Sequence, residues 1–218
     1  MVLLRTLLHM LMVRPLMWFL LGGKVEGREN LPSSGPAILA ANHNSHLDIF
    51  FLQSLLPVGA LPLTHPVAAA DYFCRTKLTT WLSRNLIGII ALSRTRASFH
   101  EDPLAGVKET LRAGKIVIIF PEGSRGEPEM LSMIKPGIAH LAKDFPDVPV
   151  IPVFIKGLGK SLPRGELALV PHLCRAFVGE ALKYGYGEGQ NVRKFTEDLK
   201  GWFFARADQQ NSAGLTNR

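Results

Sequence analysis

Short runs of apolar, β-prone residues punctuate the chain after its first twenty positions: Ala37 to Ala41, Val67 to Ala70, Leu86 to Leu92, Lys115 to Phe120, Val150 to Ile155, Leu167 to Val170 and Ala176 to Val178. Their apolar character is continuous rather than alternating, which predicts strands buried on both faces. Between them, Leu47 to Leu56, Lys77 to Leu86, Glu101 to Ala113 and Ile138 to Asp144 carry helical spacing, with stops such as Pro57 and Gly114, and Val192 to Ala207 predicts a closing helix. Strand alternating with helix predicts an α/β fold, a mixed, mainly parallel sheet covered by helices on both faces. The runs Glu166 to Val170 and Cys174 to Glu180, separated by Pro171-His172-Leu173, read as antiparallel neighbours and make the sheet mixed. No internal repeat is visible, and Leu31-Pro32-Ser33-Ser34-Gly35-Pro36 is a turn rather than a linker.

The first twenty-one residues are the most apolar stretch, yet Arg5, His9 and Arg14 interrupt it and Pro15 is expected to break its helical pattern. No uninterrupted run approaches the length of a spanning helix, so the stretch reads as a helix lying in the membrane interface. Its aliphatic side would sink among acyl chains while Arg5 and Arg14 reach lipid phosphates and Trp18 sits at the headgroup boundary. A core helix, a true span and a cleaved signal are the alternatives, the last opposed by the poor cleavage site at Gly22-Gly23-Lys24. The expected organisation is residues 1–22 as an interfacial helix, 23–208 as a single domain and 209–218 as a disordered polar tail.

Composition fits one domain: 218 residues, 47% hydrophobic, can close one sizeable core. A net charge of +7 favours anionic partners. The basic residues are scattered without aromatic interleaving or zinc-finger spacing, which argues against nucleic acid and leaves a membrane lipid surface or an acidic carrier. Cys74 and Cys174 lie far apart and outside any C-x-x-C, so they read as reduced core thiols.

Candidate chemistry collects after two of the predicted strands. Ala37 to Ala41 runs into Asn42-His43-Asn44-Ser45-His46-Leu47-Asp48, at the carboxyl end of a strand, where open α/β sheets bind ligands. His43 and Asp48 can meet only if His43 sits in the strand-to-helix turn and Asp48 in the first helical turn. There the carboxylate would fix the imidazole tautomer and leave the other ring nitrogen to take a proton from a substrate hydroxyl. Two other readings remain open: a capped helix start with Asn44 and Ser45 as natural caps, and a metal site from His43, His46 and Asp48. The second cluster is Pro121-Glu122-Gly123-Ser124-Arg125-Gly126, where backbone amides around Gly123 and the Arg125 guanidinium suit a phosphate. The Gly-x-Ser-x-Gly elbow is absent, so Ser124 is a weak candidate nucleophile.

These landmarks resemble, in order, the glycerolipid acyltransferases of the lysophosphatidic acid acyltransferase (1-acyl-sn-glycerol-3-phosphate acyltransferase) type. Asn42-His43-x-x-x-x-Asp48 looks like the catalytic motif, Gly88-Ile89-Ile90-Ala91-Leu92-Ser93-Arg94 the second block, Phe120-Pro121-Glu122-Gly123-Ser124-Arg125 the third and Val148-Pro149-Val150-Ile151-Pro152-Val153 the fourth, with Lys135-Pro136-Gly137 a further common step. The resemblance, from about Gly27 to Lys156, implies that His43, oriented by Asp48, activates the acceptor hydroxyl for attack on the thioester of acyl-CoA or acyl-carrier protein, with no other cofactor. It implies Arg94 and Arg125 at the acceptor phosphate, Glu122 at the acceptor glycerol or holding an arginine, and Gly123 for close backbone approach, with Ser124 and Lys135 as further substrate contacts. The expected acceptor is 1-acyl-sn-glycerol-3-phosphate, giving phosphatidic acid, on the cytoplasmic face of a membrane. Gly126 stands where the third block often carries a hydroxyl, which keeps other lysolipids in view. A metal-dependent lipid hydrolase and a non-catalytic lipid-binding module are the competing classes.

Overall fold

The computed structural model describes residues 2–22, 24–69, 76–92, 102–124, 130–161, 173–185 and 189–215. Its strands are β1 (Lys24–Glu26), β2 (Ala37–Ala41), β3 (Thr64–Ala69), β4 (Ile90–Leu92), β5 (Ile116–Ile119), β6 (Val150–Lys156) and β7 (Arg175–Val178). They form one sheet in the order β1-β7-β6-β2-β5-β3-β4, parallel throughout except for the antiparallel pair β6 and β7. The mixed, mainly parallel sheet is the one expected from the sequence. The expected strand at Leu167 to Val170 lies outside the described residues; among the described ones, β7 pairs antiparallel with β6.

Two local outcomes differ from the apolar pattern. Leu86 and Ile87 belong not to a strand but to a π-helical turn, Ser83–Ile87, that ends on Gly88 at φ 81°, so β4 starts only at Ile90. Strand β1 is too short and polar to leave a pattern and exists because the edge of β7 supplies its hydrogen bonds.

Side chains of successive residues point to opposite faces of the sheet, and each face has its own core. On one, Leu39, Ile118, Val153 and Ala176 pack with Phe51, Leu52 and Leu55 of the Asp48–Leu55 helix and with Met17 and Leu21 of the N-terminal helix. On the other, Ile38, Val117, Val150 and Phe154 pack with Val107 and Leu111, Ile138 and Leu141, and Phe195, Leu199 and Phe203. These come from the helices Ala105–Arg112, Gly137–Asp144 and Val192–Leu215. The last helix runs on to Leu215, so most of the tail expected to be disordered from residue 209 continues a helix already anchored by its first turns.

The N-terminal stretch is helical from Val2 to Leu21 and passes straight through Pro15. The break expected there is absent because the turn before it, His9–Val13, is π-helical, with the Arg14 N–H donating five residues back to His9 O. A wider turn absorbs the proline ring and its missing donor. One face of this helix docks on the domain: Arg5, His9, Met17 and Leu21 are buried. Arg5 donates to Thr64 O and Arg14 Nη2 donates to Leu56 O at 3.1 Å. These two cations therefore pin the helix to the domain instead of reaching lipid phosphates, because backbone carbonyls at the ends of neighbouring elements are unsatisfied acceptors within reach. The other face, with Leu3, Leu4, Leu7, Leu11, Met12 and Phe19, is exposed. By length and composition Val2–Phe19 would also suffice to cross a membrane.

Candidate active site

The carboxyl ends of β6, β2 and β5 lie side by side at one edge of the sheet. From β2 the chain enters the Asp48–Leu55 helix on one face, whereas the chain after β5 leads to the Gly137–Asp144 helix on the opposite face. Connections that part to opposite faces leave a crevice outside the strand ends, where ligands bind in open α/β sheets.

His43 stands in the loop leaving β2, and its Nδ1 lies 2.8 Å from Asp48 Oδ2. Asp48 is the first residue of its helix, where the axial dipole favours a negative charge, and it is wholly buried. The same Oδ2 accepts the backbone N–H groups of Asn44 at 2.7 Å and Ser45 at 2.8 Å. An oxygen already accepting two amide protons fixes the remaining polarity: Nδ1–H donates to it, and Nε2 is the ring nitrogen left to accept a proton. Stacking on Phe120, with ring centroids 4.2 Å apart and planes 20° apart, holds the imidazole from the side. The His43 side chain keeps 19% of its surface exposed, enough for contact with a substrate.

Neither Asn44 nor Ser45 occupies the N-cap position of the Asp48–Leu55 helix, although Ser45 Oγ accepts the Leu47 N–H at 3.3 Å just before it. The N-cap is Leu47, without a side-chain cap, and Asn44 Nδ2 donates to Ile155 O at 3.1 Å. The polar residues organise the turn around Asp48 rather than closing the helix. Among the described residues no three His, Cys, Asp or Glu side chains are grouped to hold a metal ion.

Two buried side chains lock the turn to its neighbours. Asn42 donates to Ile155 O at 2.8 Å and accepts from Ile155 N at 2.6 Å, which extends the β2–β6 pairing beyond the strand itself. Glu122 joins the two clusters: Oε1 accepts the His43 N–H at 2.8 Å and Oε2 accepts the Ser132 N–H at 2.7 Å. With 3% of its surface exposed and each oxygen accepting a backbone amide, Glu122 ties the loops together. The sequence gives no long-range signal for these ties, so the roles of Asn42, Phe120 and Ser132 were missed although the first two sit inside the motifs.

Gly123 follows at φ 74°, closing the turn with its N–H donating to Phe120 O at 3.0 Å. A β-carbon there would come within 2.6 Å of Lys135 Nζ, so Lys135 lies directly over the glycine. The Lys135 N–H, donating to Pro121 O at 2.9 Å, holds that loop in place. The expected substrate contacts Gly123 and Lys135 are thus brought together beside His43, with Ser124 exposed next to them. Arg94 and Arg125 lie outside the described residues.

The chain is similar to known proteins over the region that holds this site. The acyltransferase family model matches residues 23–156, which contain every element of the site. A chloroplastic 1-acyl-sn-glycerol-3-phosphate acyltransferase of Arabidopsis thaliana is 32% identical over 149 residues, 68% of this chain and 40% of that protein. The 1-acyl-sn-glycerol-3-phosphate acyltransferase of Saccharomyces cerevisiae is 33% identical over 135 residues, 61% of this chain and 42% of that protein. The matched stretch thus spans less than half the length of these relatives. The crystal structure of the 1-acyl-sn-glycerophosphate acyltransferase of Thermotoga maritima shares the fold, with a TM-score of 0.71, 20% identity and coverage of 95% of this chain and 79% of that one. With the motifs in order, the histidine and aspartate in hydrogen-bond contact and more than half the chain inside the family model, this protein belongs to the acyltransferase family.

Proposed function

We propose that the chain transfers a fatty acyl group from acyl-CoA or acyl-carrier protein to the free hydroxyl of 1-acyl-sn-glycerol-3-phosphate, producing phosphatidic acid. The observation that carries this reading is the 2.8 Å contact between His43 Nδ1 and the buried Asp48 carboxylate. It makes Nε2 a general base beside a basic, glycine-lined loop.

In the reaction Nε2 takes the acceptor hydroxyl proton while the hydroxyl oxygen attacks the thioester carbonyl carbon. The tetrahedral intermediate collapses, the C–S bond breaks, and the sulfur leaves with the proton held on Nε2. Asp48 stabilises the transient imidazolium, so no covalent acyl-enzyme is needed. Lys135, with the backbone at Gly123 and Ser124, is assigned to the acceptor phosphate, and Arg94 and Arg125 are assigned there by family resemblance. The N-terminal helix holds this site at the cytoplasmic face of the membrane. Its pinned inner face supports lying along the interface, since a helix docked along its length on the domain cannot cross a bilayer alone.

Gly126, in place of a hydroxyl residue, favours a second reading with another lysolipid acceptor. Thiol release from acyl-CoA and from acyl-carrier protein, measured with a panel of lysolipids for wild type and His43→Ala, separates the two. Release that requires both a lysolipid and His43 supports transfer, and the best acceptor decides between readings. No release with any pair of substrates refutes both.

A further inference from the structure

The docking of Arg5 and Arg14 into the domain leaves the exposed apolar face of the N-terminal helix without the cations expected to meet lipid phosphates. A second element supplies them. The helix Lys77–Leu82 continues into the turn Ser83–Ile87, which packs against the Val2–Leu8 segment. On this element Leu78 is 66% exposed, Trp81 48% and Leu82 36%. Their spacing of three and four puts them on one helical face, and no core residue lies within Lys77–Leu82.

Exposed Lys77 and Arg84 flank that apolar face. At the other end of the N-terminal helix the guanidinium of exposed Arg28 stands 5.3 Å from the centroid of Trp18. Neither Met1 to Val25 nor Thr76 to Leu92 contains an aspartate or glutamate. Two apolar faces on neighbouring elements, with aromatic residues and cations at their ends, match an anionic phospholipid surface: acyl chains under the leucines, headgroups at Trp18 and Trp81, phosphates at Arg28 and, on a segment without acidic residues, at Lys77 and Arg84.

We propose that the Lys77–Ile87 segment is a second membrane-docking element, which enters an anionic bilayer beside the N-terminal helix and supplies the cations that select it. The proposal rests on the interfacial reading of the N-terminal helix. Docking on two elements fixes the orientation of the domain, which a single helix free to roll would not. The N-terminal helix also packs on the Asp48–Leu55 helix, so this orientation is passed to the helix that begins with Asp48.

The test is partition of the full-length protein onto sedimentable vesicles of phosphatidylcholine alone or mixed with phosphatidylglycerol. The variants are Leu78→Glu/Leu82→Glu, Lys77→Gln/Arg84→Gln and, on the N-terminal helix, Leu4→Glu/Leu11→Glu. Losing two anchoring leucines is expected to weaken partition at least tenfold on both vesicle types, a change of more than about 1.4 kcal/mol. Losing both cations is expected to cost about fivefold each on the anionic vesicles only. Because all four side chains are exposed, activity on detergent-dispersed substrate should stay at the wild-type level in both variants. Wild-type partition of both variants, with the N-terminal pair impaired, overturns the second element and leaves the interfacial helix standing. Wild-type partition of all three overturns both.

Discussion

Replacing Asp48 by asparagine removes a charge while keeping the shape of the site. In the folded protein one carboxylate oxygen accepts three donors, His43 Nδ1–H and the N–H groups of Asn44 and Ser45, and the other accepts from none. An asparagine with its carbonyl turned to the three donors keeps every contact, so the tautomer and the loop persist. What is lost is the negative charge opposite the imidazolium that forms as the acceptor attacks. A charge-assisted hydrogen bond exceeds a neutral one by about 1–2 kcal/mol, and two unit charges about 4 Å apart at an effective dielectric near 20 attract by about 4 kcal/mol. The barrier should therefore rise by about 2–4 kcal/mol, a fall in kcat of about 30- to 1000-fold. The assay is thiol release at saturating donor and acceptor, normalised to the folded fraction from a urea melt of the same preparation. Wild-type kcat in Asp48→Asn, or a loss confined to the KM of the acceptor, would refute the role assigned to this carboxylate.

Glu122→Gln should be worse for the fold than Asp48→Asn, because one end of the new amide would point N–H at the N–H of His43 or Ser132. An unsatisfied buried pair of this kind costs about 2–4 kcal/mol, read as a lowered urea midpoint together with lost activity; a midpoint within error of wild type would dismiss the tie. Phe203→Ala opens a cavity where the C-terminal helix meets the sheet and should destabilise by about 3–5 kcal/mol without changing the acceptor KM of the remaining folded enzyme. Gly123→Ala forces a side chain into a φ of 74° and against Lys135, so the KM for a phosphate-bearing acceptor should rise more than kcat falls. His65 is a pH probe of stability. Burial, with Arg5 and Lys115 adding to it and the bond to Gly88 O opposing it, lowers its pKa to about 4 from an ordinary 6.5. The unfolded chain thus binds a proton before the native one does, so the stabilisation is complete above pH 6.5 and is lost as pH falls from 6.5 towards 4. Urea midpoints across that window should fall less steeply in His65→Gln than in wild type, and parallel curves would contradict the assignment.

How much could be read from the chain depended on the range of the interactions involved. The central strands β2, β5 and β6 were visible because burial on both faces writes a continuous apolar run, and their ends marked both polar clusters. The pairing of His43 with Asp48 was legible because it spans five residues and only one local geometry closes it. The N-terminal helix was legible as an amphipathic segment but not in its partners, since a guanidinium that finds Thr64 O or Leu56 O looks in sequence like one that faces lipid. Glu122 shows the same limit: nothing in its motif marks the two backbone amides that the fold brings to it.

Apolar periodicity, turn residues and short spacings act within a few residues, so the buried central strands, most helices, the polar strand ends and the local geometry of the His43 turn can be read from the chain. The strand order, the locking of that turn by Ile155 of β6 and by Glu122 of the loop after β5, and the split of the N-terminal helix into a docked and an exposed face arise only in the folded molecule. Those outcomes depend on which backbone groups meet across the sheet, and a backbone amide carries no mark in the sequence of the partner it will find.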